Sequence, residues 1–197
     1  MIKDGYRIEN SGENLGVIVG ENVGNIVLNM TNVKKIPSLI SKLVKVLGAT
    51  CSTEDDISIV TIPKEFKTED KIEYNGVIKY KYIIKEYSSY YFTCEDYLNA
   101  YDDSNITGKA KILNCIYLWY LGVKGQVLLE NRDSNKSEID IIKINADRII
   151  DMIKEKIVMV VQESKEIDAI YREDLEIGVA CFICYCFMKC KILEKPL

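Results

Sequence analysis

The chain has 197 residues, of which 48% are hydrophobic and 28% are charged, and this balance excludes a disordered or collagen-like protein. The net charge of −4, from 26 basic and 30 acidic side chains, argues against a dedicated nucleic-acid binder, because such proteins usually carry a basic field. Histidine is absent, which excludes Ser-His and Cys-His nucleophile pairs and histidine-containing zinc sites. The composition therefore predicts a protein that is not an enzyme and has no cofactor.

The first 33 residues differ in composition from the rest of the chain. Five of the eleven glycines fall between Gly5 and Gly24, and the motif Gly-Glu-Asn-x-Gly occurs twice. Glycine and asparagine tolerate positive φ, so each copy can form a turn, and the β-branched runs 17–19 and 26–28 can form short strands. Two strands are marginal alone in water, so we expect this β ribbon to pair with copies from other subunits. The predicted oligomerisation ribbon comprises Gly12, Asn14, Gly16, Val17, Ile18, Val19, Gly20, Asn22, Gly24 and Ile26.

The two glycine loops are poor candidates for phosphate binding. A phosphate-binding loop requires a lysine after its last glycine and a helix that starts immediately. Neither loop contains a lysine, each contains a glutamate that would repel phosphate, and a strand follows instead of a helix. The loops are therefore interpreted as turns.

Helical periodicity begins after Lys35 and predicts a helical domain over residues 34–197. The fold class is mainly α, with five to six helices and an N-terminal Gly/Asn-rich β-hairpin or ribbon. Outside the ribbon, one short strand is predicted at 57–62. The predicted helices run from Pro37 to Gly48, from about Glu69 to Tyr91, from Thr93 to about Tyr101, from Lys109 to near Gly122, from Ile139 to Val161 with a break near Asn145, and from about Arg172 to Leu193.

The start of the chain lacks the apolar segment of a signal peptide. The most apolar run, from Ile177 to Met188, has twelve residues, whereas a bilayer requires about 20. We therefore expect a cytoplasmic protein that does not bind membranes.

Four of the seven cysteines, Cys181, Cys184, Cys186 and Cys190, are the residues with the most metal-ligand character. Structural zinc sites place their Cys-x-x-Cys pairs on turns, where four sulfur atoms can converge. Here the four cysteines lie on one apolar helix, and successive residues point in different directions. We expect reduced thiols buried in the core and no metal.

The middle of the chain combines tyrosines with lysines. Lys79, Tyr80, Lys81 and Tyr82 are the candidate contacts for single-stranded nucleic acid, because aromatic rings can stack on bases while lysines bind phosphates. The same residues suit a half-buried helix or a protein interface. The patch is not strongly basic, because Glu69, Asp70, Glu73 and Glu86 lie nearby. Direct nucleic-acid binding is therefore the alternative rather than the leading hypothesis.

The acidic stretch that contains Asp133, Glu138, Asp140 and Lys143 loosely resembles a metal-dependent nuclease signature. That signature places its carboxylates and lysine at the ends of paired strands. This segment has the pattern of a helix start, with Asn135 and Glu138 at capping-box spacing. The carboxylates are therefore interpreted as a solvated helix face.

Two segments resemble a known group of proteins. Residues 69–87 resemble a helix of accessory proteins in bacterial ABC three-component conflict systems, the Lamassu-like group, and residues 181–196 are similar to the closing helix of the same C-terminal domains. The Asn-x-Gly ribbon is similar to prefixes of such proteins. The resemblance implies an anti-phage defence complex that contains an SMC-like ABC ATPase and other defence subunits. Because no effector domain precedes the helical region, we expect an oligomerising assembly subunit.

Overall fold

The computed structural model describes residues 37–51, 67–104, 107–165 and 170–196, and these residues contain helices and no β-strand. The prediction of a mainly α fold is confirmed for this part of the chain, although it contains more helices than the five or six expected. All the described residues belong to one unit, Lys35–Leu197. The helices are α1 (Leu39–Cys51), α2 (Thr68–Asn75), α3 (Lys81–Tyr87), α4 (Tyr91–Ser104), α5 (Gly108–Glu130), α6 (Glu138–Ile144), α7 (Ala146–Gln162) and α8 (Arg172–Met188), with a 3₁₀ turn at Ser88–Tyr90.

The helices α1 and α8 form the most extensive pair in the fold. Their backbones come unusually close at two glycines. A Cβ atom added to Gly48 would lie 2.1 Å from the carbonyl oxygen of Asp174, and one added to Gly178 would lie 2.1 Å from the carbonyl oxygen of Val44. Because backbone atoms cannot rotate aside as a side chain can, this crossing requires glycine at both positions.

The remainder of the α1–α8 contact is apolar. The predicted first helix is confirmed, and its residues Ile40, Leu43, Val44 and Leu47 are buried. It continues three residues beyond Gly48, because this glycine serves the contact with α8 and does not end the helix. The second half of α8 is buried on all sides, from Cys181 to Met188.

The prediction that the last helix extends to Leu193 is wrong, because α8 ends at Met188. Cys190 and Leu193 adopt positive φ angles of 53° and 61°, which a helix cannot accommodate. The amide of Lys191 donates to the carbonyl oxygen of Cys186 at 2.9 Å and closes the turn. The chain therefore folds back toward α2 after α8.

The single long helix predicted from Glu69 to Tyr91 is also wrong. It is divided into α2 and α3 by Gly76, which adopts φ 66° and caps α2 in the left-handed conformation. The amide of Gly76 donates to the carbonyl oxygen of Glu73 at 3.1 Å. The segments on either side of Gly76 are helical as predicted, and the glycine marks the end of the first of the two helices.

The helices from α4 to α7 follow the predicted order with shifted ends. α5 continues to Glu130, two turns beyond its predicted end, and the predicted break at Asn145 is confirmed between α6 and α7. The side-chain amide of Asn145 donates to the carbonyl oxygen of Ile141 at 2.9 Å. Ser137, not Asn135, caps α6, because its Oγ accepts from the amide of Asp140 at 3.3 Å.

The predicted ribbon and the predicted strand at 57–62 lie outside the described residues. The proposed division of the chain at residue 33 therefore stays a prediction. Buried apolar residues from α1 through α8 belong to one continuous core cluster.

Candidate functional site

Asp147, near the start of α7, holds the segment between α2 and α3. Its Oδ2 accepts from the backbone amides of Ile78 and Lys79 at 3.0 Å each, and its Oδ1 accepts from the amide of Tyr80 at 3.2 Å. A carboxylate that binds three successive amides is well satisfied, because each is a charge-assisted hydrogen bond. Asp147 therefore has a structural use that sequence reasoning missed, since its partners are backbone groups almost 70 residues earlier.

Asp151, one turn further along α7, binds the side chains of two predicted nucleic-acid contacts. The Lys79 ammonium donates to both carboxylate oxygens of Asp151, at 2.6 and 2.7 Å, and the Tyr80 hydroxyl donates to Oδ1 at 2.5 Å. Tyr80 is buried, and burial together with the Asp151 carboxylate raises the pKa of its hydroxyl. Lys81 is half-buried, and the ring of Tyr82 is exposed. Of the two tyrosine rings, only that of Tyr82 is open to a base, and nucleic-acid contact by this group stays a prediction.

Lys71 is fully buried beside the turn that follows α8. Its ammonium donates to the carbonyl oxygens of Phe187 at 2.5 Å and Ile192 at 2.9 Å, and it lies 4.4 Å from the centre of the Phe187 ring. Burial lowers the pKa of Lys71 to about 8, although the neighbouring Cys190 and Glu194 oppose this change. The lysine thus adds a donor to the Phe187 carbonyl oxygen, which also accepts from the amide of Cys190 at 3.1 Å, and supplies one to the carbonyl oxygen of Ile192 in the turn.

Asn75 fastens the same turn to α2. Its side-chain amide donates to the backbone oxygen of Glu194 at 2.8 Å and to that of Lys71 at 2.9 Å, and its Oδ1 accepts from the amide of Glu194 at 2.9 Å. The Asn75 side chain therefore pairs with both backbone groups of Glu194. Since Asn75 is buried, water cannot replace these partners.

We expect Asn75→Ala to lower the free energy of unfolding by about 2–3 kcal/mol, because it empties a buried site and removes the partners of the Glu194 backbone N–H and C=O, which are partly buried. Asn131→Ala is the matched control. Asn131 also donates to the carbonyl oxygen four residues earlier, that of Val127 at 2.8 Å, but makes no second contact of this kind among the described residues. Urea unfolding of both variants measures the difference. Equal losses would contradict the assignment of Asn75 as the anchor of the C-terminal turn.

Glu95 connects α4, α5 and α8. It accepts hydrogen bonds from the side chains of Lys109, Tyr185 and Lys189, the last at 3.0 Å. Partial burial alone would raise the pKa of Glu95, but these three donors outweigh it and lower the pKa to about 2. A carboxylate held ionised by three donors is a poor general base, and its geometry indicates a structural junction.

Glu194 forms a similar junction near the end of α5. Its Oε1 accepts from the Tyr120 hydroxyl at 2.6 Å and from the Lys124 ammonium at 2.7 Å. Lys124 also pairs with Glu138 at 2.7 Å. These contacts attach the inner side of α5 to α6 and to the C-terminal turn.

The carboxylates of the weak nuclease pattern do not converge. Glu138 pairs with Lys124, Asp140 lies in the cap of α6, and Asp133 is exposed beside Arg132 at 3.5 Å. Within the described ranges, no group of three or more carboxylate or cysteine side chains is placed to hold a metal ion. The interpretation of this segment as a helix start is confirmed.

The prediction of buried core thiols is confirmed for Cys181, Cys184 and Cys186, whereas Cys190 is half-buried and lies beyond the end of α8. Burial raises the pKa of Cys184 to about 12 and raises that of Cys186 well above its ordinary range. Thiols held protonated in this way are poor nucleophiles and poor metal ligands, because both roles require the thiolate.

The most unusual surface belongs to α5. Its inner side is buried in the core at Ile112, Ile116, Tyr120, Val123 and Val127. The opposite side, here called the outer face of α5, is also free of charge between Lys111 and Glu130 at the two ends of the helix. It consists of Leu118, Leu121, Gly122, Gly125 and Leu129, and the exposed polar side chain of Asn114 borders it one turn before Leu118. Leu118 is 67% and Leu129 65% exposed, and a Cβ added to either glycine would meet nothing within 4 Å.

A helix that is apolar on both sides is normally covered on both sides. By length and composition, α5 could cross a membrane, and 33% of its most apolar window is buried within the described fold. The apolar run that the sequence pattern singles out lies in α8 and is shorter, so the sequence alone did not predict α5 as a candidate membrane span. The half of α5 that faces the core already has partners in α4, α6 and α7. The outer face is therefore the candidate functional surface of the described chain.

Comparisons with known proteins add no assignment to this surface. No protein-family model matches the chain, and no curated protein and no solved structure matches it either.

Proposed function

We propose that this chain is a non-enzymatic, self-associating assembly subunit of a bacterial anti-phage defence complex that acts with an SMC-like ABC ATPase. The observation that carries the proposal is the outer face of α5, an uncharged leucine and glycine surface on a helix that is otherwise built into the core. Surfaces of this kind on soluble domains are typical of protein–protein contact.

The polar groups support an assembly role. Five polar residues, of types that enzymes can use for chemistry, each join two parts of the fold through hydrogen bonds. They are Lys71, Asn75, Glu95, Asp147 and Glu194. They position helices against one another, and Lys71 and Asn75 are buried. A rigid body of this type is suited to presenting a binding surface.

The two segments that resemble the conflict-system proteins are in direct contact. Residues 69–87 form α2, the following loop and α3, and residues 181–196 form the end of α8 and its turn. Lys71 and Asn75 connect the first segment to the second. The two segments are therefore neighbours in the fold.

The proposal is tested in cells that carry this gene together with its chromosomal neighbours. We expect in-frame deletion of the gene to abolish protection against phage, and we expect the tagged chain to co-purify with an SMC-like ABC ATPase encoded beside it. Re-expression of the chain from a plasmid controls for effects on neighbouring genes. Protection that survives the deletion, with no ATPase bound to the chain, would contradict the proposed role.

A further inference from the structure

We propose that the outer face of α5 is a homodimer interface in which the α5 helices of two copies pack antiparallel about a two-fold axis between Leu121 and Gly122. This inference rests on one part of the proposed function, namely that the chain acts through contacts between proteins. It names the occupant of the surface, a second copy of the same chain, and the register of the contact.

The shape of the outer face is complementary to itself. An antiparallel pair centred between Leu121 and Gly122 places Leu121 of each copy opposite Gly122 of the other. The same register places Leu118 opposite Gly125, because the two residues are equally far from the axis. The glycines are open, with nothing within 4 Å of an added Cβ, so each can receive a leucine side chain of the other copy. A leucine seated over a glycine allows two helices to approach closely.

The charges at the ends of α5 favour the antiparallel orientation. Lys111 is exposed near the start of the helix, and Glu130 is its last residue. In an antiparallel pair, Lys111 of one copy lies toward the carboxyl end of the other helix, where the helix dipole is negative. The carboxylate of Glu130 at that end already pairs with Arg148 of its own chain at 2.5 Å, so the dipole carries the attraction. A parallel pair would place Lys111 beside Lys111 and align the two dipoles. The lysine and the dipoles therefore favour the antiparallel orientation.

A second copy fits this face better than a lipid bilayer does. To span a membrane, α5 would have to leave α4, α6 and α7 and break the hydrogen bond from Tyr120 to Glu194 and the pairs from Lys124 to Glu138 and Glu194. Charged groups on the inner side would then enter lipid at a cost of several kcal/mol. A dimer covers the outer face and leaves every one of these contacts in place.

The size of the face sets the expected affinity. From Leu118 to Leu129 the helix advances about 17 Å, so the contact lies near the lower end of specific interfaces. We expect a dissociation constant on the order of micromolar rather than nanomolar. Association should therefore depend on protein concentration within the range that sedimentation can follow.

The experiment uses the full chain and changes the size of two interface side chains. Gly125→Leu fills the gap opposite Leu118 and should weaken association at least tenfold, or about 1.4 kcal/mol, while the monomer is unaffected because the position is open. Adding Leu118→Ala to Gly125→Leu exchanges the positions of the large and the small side chain in the contact and should restore association. Ile144→Ala, at an exposed apolar residue of α6, is the control and should leave association unchanged. Analytical ultracentrifugation measures association, and far-UV circular dichroism checks the helical fold.

The substitution also separates a dimer from a membrane helix. Gly125→Leu makes α5 more apolar, so it would strengthen flotation with phosphatidylcholine–phosphatidylglycerol vesicles if the helix entered lipid. A monomeric wild type, with or without vesicle binding, would overturn the interface. An assembled wild type that is insensitive to Gly125→Leu would also overturn it, but would leave self-association through another surface, and with it the proposed function, standing. Weakened association that the double variant restores would support it.

Discussion

Gly178→Ala is expected to destabilise the fold by about 3 kcal/mol or more, although alanine is ordinarily a better helix former than glycine. The new methyl group would lie 2.1 Å from the carbonyl oxygen of Val44, so α1 and α8 would have to separate. Overpacking of a core costs about 1–3 kcal/mol when side chains can adjust, and this clash is with backbone. Separation of α1 from α8 would also loosen the most extensive helix contact in the described fold.

Gly122→Ala is the matched control for this prediction, because it is the same substitution inside a helix where nothing lies within 4 Å. There the change should stabilise the fold by about 0.5–1 kcal/mol, as helix propensity alone predicts. Urea unfolding at a protein concentration well below the micromolar range measures both variants as monomers. Two shifts of the same sign would refute the close crossing of α1 and α8.

The second large effect is a loss of stability at alkaline pH. Burial raises the pKa of Cys94, Cys184 and Cys186 above the ordinary value of 9.0, and a hydrogen bond with Cys51 together with burial does so for Cys181. A group whose pKa is higher in the folded state contributes stability below its unfolded pKa and loses it as the pH rises. At pH 10, each such thiol ionises mainly in the unfolded chain, and the four together lower the free energy of unfolding by about 5 kcal/mol.

Lys71 acts in the opposite direction over part of the same range. Its folded pKa of about 8 lies below the ordinary 10.5, so the unfolded chain binds more protons between these values and stability rises with pH there. This gain offsets about 2 kcal/mol of the loss from four thiols at pH 10. We expect a net loss of about 3 kcal/mol between pH 8 and pH 10.

The pH dependence of urea unfolding under reducing conditions measures this balance. The double variant Cys184→Ala/Cys186→Ala should be less stable at pH 8, because two small buried side chains are shortened. By pH 10 it should lose less than about 1 kcal/mol of further stability, because the gain from Lys71 nearly cancels the loss from the two remaining thiols. Wild-type stability that is flat over this range would show that the thiols are not held protonated by the fold.

Local sequence patterns were sufficient for most of the helical body. The apolar repeat in α1 and the break at Asn145 are visible because each depends on residues within a few turns. The division of α2 from α3 was missed because Gly76 was read as part of a periodic stretch, although a glycine in such a pattern often ends a helix. The end of α8 was missed because two non-glycine residues, Cys190 and Leu193, adopt positive φ.

The polar junctions could not be derived in the same way. Asp147 and Asp151 bind residues about 70 positions earlier, and Lys71 binds carbonyl groups more than 100 positions later. Such partners are known only once the helices are packed. The outer face of α5 is visible in the local sequence, because apolar residues lie on both sides of this helix. The prediction used only the apolar repeat that faces the core.

The mass of the full chain in solution tests the central claim, that this protein acts by assembling, most directly. Sedimentation equilibrium from 1 to 100 µM should show a concentration-dependent rise from the 22.5 kDa monomer to at least twice that mass. If the predicted ribbon at residues 1–33 also joins chains, the mass at high concentration will be more than twice the monomer mass. A mass that stays at 22.5 kDa over the whole range would contradict the account.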